Sequence, residues 1–317
     1  METEKPKIEF YRERSFGEKL SVSFDFIREN WKPLLKLTTY LMLPLCVIQS
    51  FLMNKSMDVS LYGVAEAESL LDSINPMLWV YNSCFLLVAM LGGILITSLI
   101  FALIQAYTER EEGLKGVTLS SLKPKLVHGS LKLLGISLLS ILIIVVFYSL
   151  VLGAIALIAP NSEALAVVGM VLATFFILLL ALPLILWAPT CLLGGQGVFA
   201  SLFKACRIGL LTWGGLFLVF LIMGLMSSIL QGVCALPWYI AFAVKSLLSM
   251  GVVESGEVSS SLGYEFVLYL LGIIEVYGSY LASIFVWVGI AFHYGHAVEK
   301  TDSVKIEEDI ENFEKLS

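Results

Sequence analysis

Six long apolar segments dominate the chain and alternate with short polar gaps. Each has about 20 residues or more, the length that a helix needs to cross a hydrocarbon core of ~30 Å. The segments cover residues 34–53, 79–106, 133–159, 164–188, 211–237 and 266–292. The pattern predicts an all-α, polytopic membrane protein with six transmembrane helices.

The stretch before the first apolar segment has a different, helical pattern. Its apolar residues recur every three or four positions, which places them on one face of a helix. Ser15 and Glu18 form an S-x-x-E capping box at its start. The charged residues, Lys19 among them, lie largely elsewhere around that helix. The apolar positions are Phe16, Leu20, Phe24, Ile27, Trp31 and Leu34. We predict an amphipathic interfacial helix that leads into the first span.

The same plan recurs before the third and fifth apolar segments. Gly116-Val117, Ser120, Leu122, Lys123 and Val127 match Gly197-Val198, Ser201, Phe203, Lys204 and Ile208 without a gap. The first copy is related to the third by spacing. Its residues Phe16, Leu20, Trp31 and Leu34 have the same spacing as Val198, Leu202, Trp213 and Leu216. We infer three pseudo-repeats of an interfacial helix plus a transmembrane hairpin, over about residues 15–107, 116–188 and 197–300. The alternative is coincidence among Leu-rich and Ser-rich segments.

The basic residues indicate how the six spans are oriented. Of the 20 Lys and Arg residues, only Lys55 and Lys245 lie on the alternate gaps. Cytoplasmic loops of membrane proteins carry an excess of Lys and Arg. We therefore predict cytoplasmic termini, a cytoplasmic segment at residues 1–14 and a single six-span domain at residues 15–300 in the cell inner membrane. The outer gap, residues 54–78, is expected to form a short helix and a turn.

The last residues, 301–317, form an acidic tail that we also place in the cytoplasm. Ile306, Ile310 and Phe313 lie on one helical face among acidic residues. Such a face would be repelled by anionic lipids. We expect the tail to dock on the protein's own cytoplasmic side or on a protein partner.

Composition excludes several other classes of protein. The chain is 58% apolar and 15% charged, with a mean hydropathy of +0.88, which is more apolar surface than a soluble domain could cover. There is no strong basic patch for nucleic acid. The five cysteines have no C-x-x-C spacing, which argues against a disulfide framework or a zinc module. We expect no cofactor and name the lipid bilayer as the partner.

The opening residues, SFGEKLSVSFDFIRENWKPLL, and the closing residues, FVWVGIAFHYGHAVEK, resemble bacterial six-helix integral membrane proteins of unknown function. The pattern also resembles the membrane domain attached to some glycerophosphodiester phosphodiesterases, over about residues 15–300. In those enzymes the chemistry belongs to a separate barrel, a fold of about 250 residues. No such domain fits beside the six spans, so the resemblance implies the membrane fold and not the activity.

Glu275 is the clearest candidate for a polar site within the membrane, because an unpaired charge in hydrocarbon is costly. At 1.5 Å per residue it lies roughly 10 to 14 Å below the outer start of span six, and Gln231 lies roughly 9 Å below the outer end of span five. The favoured interpretation is a protonated Glu275 hydrogen-bonded to Gln231, Ser227 or Ser228. The alternatives are a proton-linked or cation site, and a later start of span six that leaves Glu275 in water.

His293, His296 and Glu299 are candidate metal ligands at the cytoplasmic end of span six. Helical geometry brings the two histidines together, whereas Glu299 is only partly aligned with them. The favoured interpretation is a pair of interfacial histidines near a helix C-terminus, where its dipole and water favour them. We therefore predict no metal and keep these three residues as candidates.

No catalytic motif is present in the sequence: H-E-x-x-H, G-x-S-x-G and the Walker pattern are all absent. We expect a non-enzymatic protein that organises the membrane or supports a partner. The alternative is a permease for a small solute or a lipid, with its site at Glu275 and Gln231. A membrane-embedded enzyme, with His293 and His296 converging with acidic residues, is the third possibility.

Overall fold

The computed structural model describes residues 7–66, 76–158, 162–249 and 261–303, and these ranges contain helices and no strand. The predicted all-α fold class is therefore confirmed for them. Nine helices lie in these ranges: α1 (Phe16–Glu29), α2 (Trp31–Glu66), α3 (Pro76–Glu109), α4 (Leu119–Ile158), α5 (Glu163–Leu184), α6 (Trp187–Leu192), α7 (Val198–Leu211), α8 (Trp213–Ser249) and α9 (Leu262–Asp302).

Within the described ranges, six stretches of helix are long and apolar enough to cross a membrane, as the sequence predicted. They are Trp31–Ser60, Pro76–Glu109, Leu119–Leu157, Ala164–Leu192, Trp213–Leu248 and Leu262–Asp302. The fourth stretch combines α5 and α6. The helix is interrupted there between Leu184 and Trp187, just after Pro183. The orientation of the termini stays a prediction.

The helix α2 is longer than the sequence suggested. It continues through residues 54–66, where we expected a separate short helix. Asn54 donates from its side chain to the carbonyl of Ser50 at 2.9 Å, and Lys55 pairs with Asp58 one turn later at 3.6 Å. These local bonds support a continuous helix. The rest of the outer gap, residues 67–75, lies outside the described residues.

The predicted capping box at the start of α1 is formed. The backbone N–H of Ser15 donates to Glu18 Oε2 at 2.7 Å, and the backbone N–H of Glu18 donates to Ser15 Oγ at 3.4 Å. The hydrogen bonds to Ser15 lower the pKa of the exposed Glu18 carboxyl. The start of α1 is therefore fixed by its own sequence.

The buried face of α1 is not the apolar face that the sequence predicted. The buried residues are Lys19, Ser23 and Phe26, while Phe16 and Trp31 are exposed. In a membrane protein the apolar face of a helix can be left to the lipid, because hydrocarbon surrounds the protein. Lys19 lies off the apolar face, as the sequence indicated, but the sequence did not predict that this side of α1 is the buried one.

The helices α1 and α7 share one burial pattern. Both have 14 residues, and each is followed after a single residue by a long helix that begins with tryptophan. The buried residues coincide at one constant offset: Lys19, Ser23 and Phe26 in α1, and Ser201, Ala205 and Ile208 in α7. This agreement supports the correspondence between the first and third predicted units.

The second predicted unit differs from the other two. Its amphipathic stretch and its first span form one helix, α4, with Pro124 inside it. The buried Leu122 and Leu126 correspond in the alignment to Phe203 and Arg207, which are both exposed. The sequence match between these two stretches is thus not accompanied by a common buried face. The three-unit repeat stays a prediction.

The chain divides into two compact units. The first consists of residues 1–29, 100–222 and 287–317, and the second of residues 30–99 and 223–286. In the first unit α4, α5, α6 and α7 pack on one another. The second unit contains parts of α2, α3, α8 and α9. Polar contacts within it, described below, join α2 to α8 and α8 to α9. Residues 1–6 and most of the predicted tail, 304–317, lie outside the described residues.

Candidate functional site

The first unit contains a cluster of buried polar and basic residues, which we call the basic cluster: Arg14, Lys19, Thr212, His293 and His296. Arg14 precedes α1 and Lys19 lies on it, Thr212 separates α7 from α8, and the two histidines lie on α9. Sequence analysis singled out only the histidines of this set.

The segment that carries Arg14 packs tightly against α9. A Cβ atom at Gly295 would lie 2.5 Å from the carbonyl oxygen of Phe10. The backbone N–H of Arg14 donates to Nδ1 of His296 at 3.0 Å. This close approach requires glycine at position 295.

The charge of Arg14 has partners within its own segment. The guanidinium donates to the carbonyl oxygens of Phe10 at 3.1 Å and Arg12 at 3.4 Å, and also to that of Glu9. Its Cζ atom lies 5.8 Å from the ring centroid of Phe292, a distance at which a cation and an aromatic ring attract each other. Arg14 therefore holds this segment on α9.

His293 is completely buried, and its two ring nitrogens are in different environments. Nε2 lies 3.2 Å from the hydroxyl of Thr212, and that hydroxyl donates its own proton to the carbonyl of Ile208 at 2.8 Å. We therefore assign the imidazole proton to Nε2, which donates to Thr212. Nδ1 is then an acceptor, and it has no hydrogen-bond partner among the described residues.

Lys19 is the second unpartnered group of the basic cluster. Its side chain is 5% exposed, and no hydrogen bond or ion pair of its ammonium is found in the described part of the chain. Burial, with a further contribution from Lys300, lowers the pKa of Lys19. A lysine without a carboxylate in such a place is unusual, because buried charges are normally paired.

Lys19 and His293 meet at Gly215, in the first turn of α8. A Cβ atom on Gly215 would lie 3.2 Å from Nζ of Lys19 and 4.0 Å from Nδ1 of His293. The absence of a side chain at position 215 is therefore what allows the ammonium of Lys19 and the imidazole of His293 to pack against α8.

The candidate metal ligands are not arranged around a common point. The described residues contain no group of three His, Cys, Asp or Glu side chains that could hold a metal ion. The rings of His293 and His296 are 6.0 Å apart, and Nδ1 of His296 already accepts from Arg14. The positive charge of Lys19 beside them would also repel a cation.

The predicted site at Glu275 belongs to the second unit. Gln231 is exposed and donates from its side chain to Ser279 Oγ at 3.0 Å, not to Glu275. Ser228 donates to the carbonyl of Gly224 in its own helix at 2.8 Å, and Ser227 is half-buried. Glu275 is half-buried and has no hydrogen bond within the described ranges. The role of this site stays a prediction.

The second unit also contains a buried ion pair that sequence analysis did not predict. Nζ of Lys245, on α8, lies 2.5 Å from Asp58 Oδ1, on α2. Lys55 lies 3.6 Å from the other oxygen of the same carboxylate. The signal for this pair was present in the sequence, since Lys55 and Lys245 were the two cations outside the charge pattern.

The described residues form helices, six of them long and apolar enough to cross a membrane, which indicates a multi-pass membrane protein. Comparison with models of protein families, with curated proteins and with solved structures gives no match. The resemblance to the membrane domain of some glycerophosphodiester phosphodiesterases therefore stays a prediction.

Proposed function

We propose that this protein is a non-enzymatic integral membrane protein that organises the lipids around it. The observation that carries the proposal is the unequal burial of its spans. The buried share of residues in the most apolar stretch of a span is 56% for α3 and 44% for α9. It is 0% for α4 and 11% for the span made of α5 and α6. The hairpin of α4 and α5 thus offers nearly its whole apolar surface to lipid.

The test is to extract the protein with its surrounding bilayer into polymer-bounded nanodiscs and to compare its lipids with the bulk membrane by mass spectrometry. We expect one lipid class to be enriched at a fixed ratio. Replacing the exposed Phe175 and Phe176 of α5 by alanine is expected to reduce the enrichment.

The matched control replaces Phe199 and Phe203, which are also exposed but lie on α7, and should leave the enrichment unchanged. Retained lipids identical with the bulk membrane would contradict the proposal. A co-purifying protein without an enriched lipid would instead favour a partner-supporting role, with the acidic tail at residues 301–317 as the first candidate contact.

We place the protein in the inner membrane of a bacterium with both termini in the cytoplasm, on the strength of its charge pattern. Two exposed positions test this: Lys123 on the predicted inner side and Leu262 on the predicted outer side. A membrane-impermeant maleimide added to intact cells should label Leu262→Cys and not Lys123→Cys, in a background without the native cysteines. The opposite result would overturn the orientation.

A permease is the second candidate, favoured by Glu275, a half-buried carboxyl without a hydrogen bond in the described part of α9. If Glu275 carries protons, reconstituted vesicles loaded with a pH-sensitive dye should acidify faster with the parent than with Glu275→Gln. Ser279→Ala, which removes the partner of Gln231, is the control for disturbance of the same helix face. Equal rates for the parent and Glu275→Gln would remove this candidate.

A further inference from the structure

The first unit contains a cavity of about 220 Å³ where the chain turns from α3 into α4. We call it the turn cavity. Pockets for drug-sized ligands measure roughly 300–1,000 Å³, so this one has room for a smaller, polar group. Its polar lining includes Glu109, Arg110, Ser121 and Lys125, and its apolar lining includes Val117 and Leu122.

Local bonds fix the shape of this turn. Gly113 and Gly116 have positive φ angles of 63° and 69°, which glycine adopts without strain. Thr118 and Ser121 cap the start of α4, since the backbone N–H of each donates to the side-chain oxygen of the other, at 3.2 and 3.3 Å. The hydroxyl of Ser121 donates in turn to the carbonyl of Thr118 at 2.7 Å. The walls of the turn cavity are thus held in place without a ligand.

The charged side chains of the turn cavity leave one positive charge unbalanced. Nζ of Lys125 lies 2.5 Å from Glu109 Oε2. The guanidinium of Arg110 has no hydrogen bond or ion pair within the described ranges. The two cations and one carboxylate of the lining give it a net charge of +1. A singly charged anion complements this lining better than a cation or a doubly charged anion does.

The turn cavity lies where an apolar span ends. The apolar stretch of α3 runs to Ala106, Tyr107 follows, and the first charged residue is Glu109. Tyrosine and then charge at the end of a span are typical of the membrane interface. At that level of a bilayer the abundant singly charged anion is the phosphodiester of the lipid headgroups.

We propose that the turn cavity binds a singly charged phosphodiester. The guanidinium of Arg110 matches the geometry of two phosphate oxygens, and the ammonium of Lys125 has donors beyond the one that faces Glu109. The phosphodiester can belong to an anionic phospholipid or to a small soluble ester. The apolar Val117 and Leu122 offer contact to the carbon atoms next to the phosphate.

This inference goes beyond the proposed organisation of lipids, which rests on the exposed surface of α4 and α5. The double replacement of Phe175 and Phe176 by alanine should reduce the lipid enrichment and leave binding at the turn cavity unchanged. Arg110→Gln should do the opposite. The two proposals can therefore fail separately.

The experiment uses native mass spectrometry of the whole chain in dodecyl maltoside, a detergent without phosphate. Phosphatidylglycerol is titrated in one arm, with phosphatidylcholine as the phospholipid that has no net charge. In the other arm dimethyl phosphate, a soluble phosphodiester, competes with the lipid. We expect one phosphatidylglycerol to bind saturably and more tightly than phosphatidylcholine. Competition by dimethyl phosphate identifies a site open to soluble esters, and its absence identifies a lipid site.

Charge variants test which residues make the site. Arg110→Gln should weaken the binding of phosphatidylglycerol about tenfold, the lower end of the range for a hydrogen bond to a charged group. Arg207→Gln, which removes an exposed guanidinium on α7, is the matched control and should leave the affinity unchanged. Glu109→Gln removes the carboxylate that repels the anion and should strengthen binding several-fold. A merely structural pair of Glu109 and Lys125 would not produce this gain.

A second pair of variants tests the space itself. Val117→Trp fills the turn cavity and should abolish the binding, whereas Val127→Trp, at an exposed position of α4, should keep it. The proposal is overturned if phosphatidylglycerol does not bind saturably or if phosphatidylcholine binds as tightly. It is also overturned if Arg207→Gln weakens binding as much as Arg110→Gln, or if Glu109→Gln weakens it.

Discussion

Two lysines in different units are almost entirely buried, and their surroundings differ in one respect. Lys245 is 2% exposed and lies 2.5 Å from the carboxylate of Asp58. Lys19 is 5% exposed and has no carboxylate partner among the described residues. Both ammonium groups pay the cost of leaving water, but only the first recovers it from a side chain of the protein.

The comparison separates a buried charge that the protein neutralises from one that it does not. The pair of Lys245 and Asp58 joins α2 and α8 through opposite charges. Lys19 lies instead against Gly215 and His293, and no carboxylate of the described residues pairs with it. The contrast predicts opposite responses to substitution at the two lysines.

The largest effect is expected when the complete pair is broken. Asp58→Leu leaves Lys245 buried without a partner and should lower the free energy of unfolding by about 3–5 kcal/mol. Denaturation of the protein in detergent measures the change. The double variant Asp58→Leu, Lys245→Met should recover most of the loss, because the one charge that it leaves unpaired is that of the Lys55 side chain, which is 38% exposed. A double variant as unstable as Asp58→Leu would show that packing, not charge, accounts for the effect.

A smaller loss is expected where α9 meets the segment before α1. Gly295→Ala places a Cβ atom 2.5 Å from the carbonyl of Phe10, and such overpacking typically costs about 1–3 kcal/mol. Gly263→Ala on the same helix, where a Cβ meets nothing within 4 Å, is the control and should not destabilise. A second measurement uses a cysteine at position 19. If Gly295→Ala loosens the contact between α9 and the segment before α1, that cysteine should become accessible to a maleimide.

Lys19→Met is expected to have almost no effect on stability. Because the ammonium has no ion-pair partner to lose, the free energy of unfolding should stay within about 0.5 kcal/mol of the parent or rise. The measurement is unfolding in phosphatidylcholine nanodiscs. Destabilisation as large as that of Asp58→Leu would break the comparison, since it would mean that Lys19 has a partner of comparable strength.

The smallest effect is expected at the start of α1, the helix that carries Lys19. The folded-state pKa of Glu18 is lowered by its hydrogen bonds to Ser15. Its contribution to stability is therefore present above the usual glutamate pKa and is lost as the pH falls through the lowered value. The difference in Tm between the parent and Glu18→Gln should be small at neutral pH and should vanish in acid. A difference that grows in acid would contradict this.

Much of the fold could be predicted from the sequence because its signals are local. A run of apolar residues determines a spanning helix regardless of its neighbours, and the bonds between Ser15 and Glu18 involve residues three apart. The continuation of α2 to Glu66 was missed, because polar residues beyond a span were interpreted as a loop.

The candidate sites were less predictable, because they depend on which residues of distant segments meet. Gln231 and Glu275 were placed at similar depth, but depth does not determine the direction of a side chain around a helix, and Gln231 bonds to Ser279 instead. Lys19 was correctly placed off the apolar face of α1, but its burial was missed, since the rule that apolar faces are buried applies to water and not to lipid.

By itself the sequence determined that this chain is all-helical, that it has six apolar helices long enough to cross a membrane, and where α1 begins. Only the tertiary structure decided which face of α1 is buried, that Lys245 meets Asp58, and that Lys19 and His293 meet at Gly215. Hydrophobicity and helix capping act over a few neighbouring residues and are written in the order of the chain. The pairing of buried charges acts between helices far apart in sequence, and it exists only once the chain has packed.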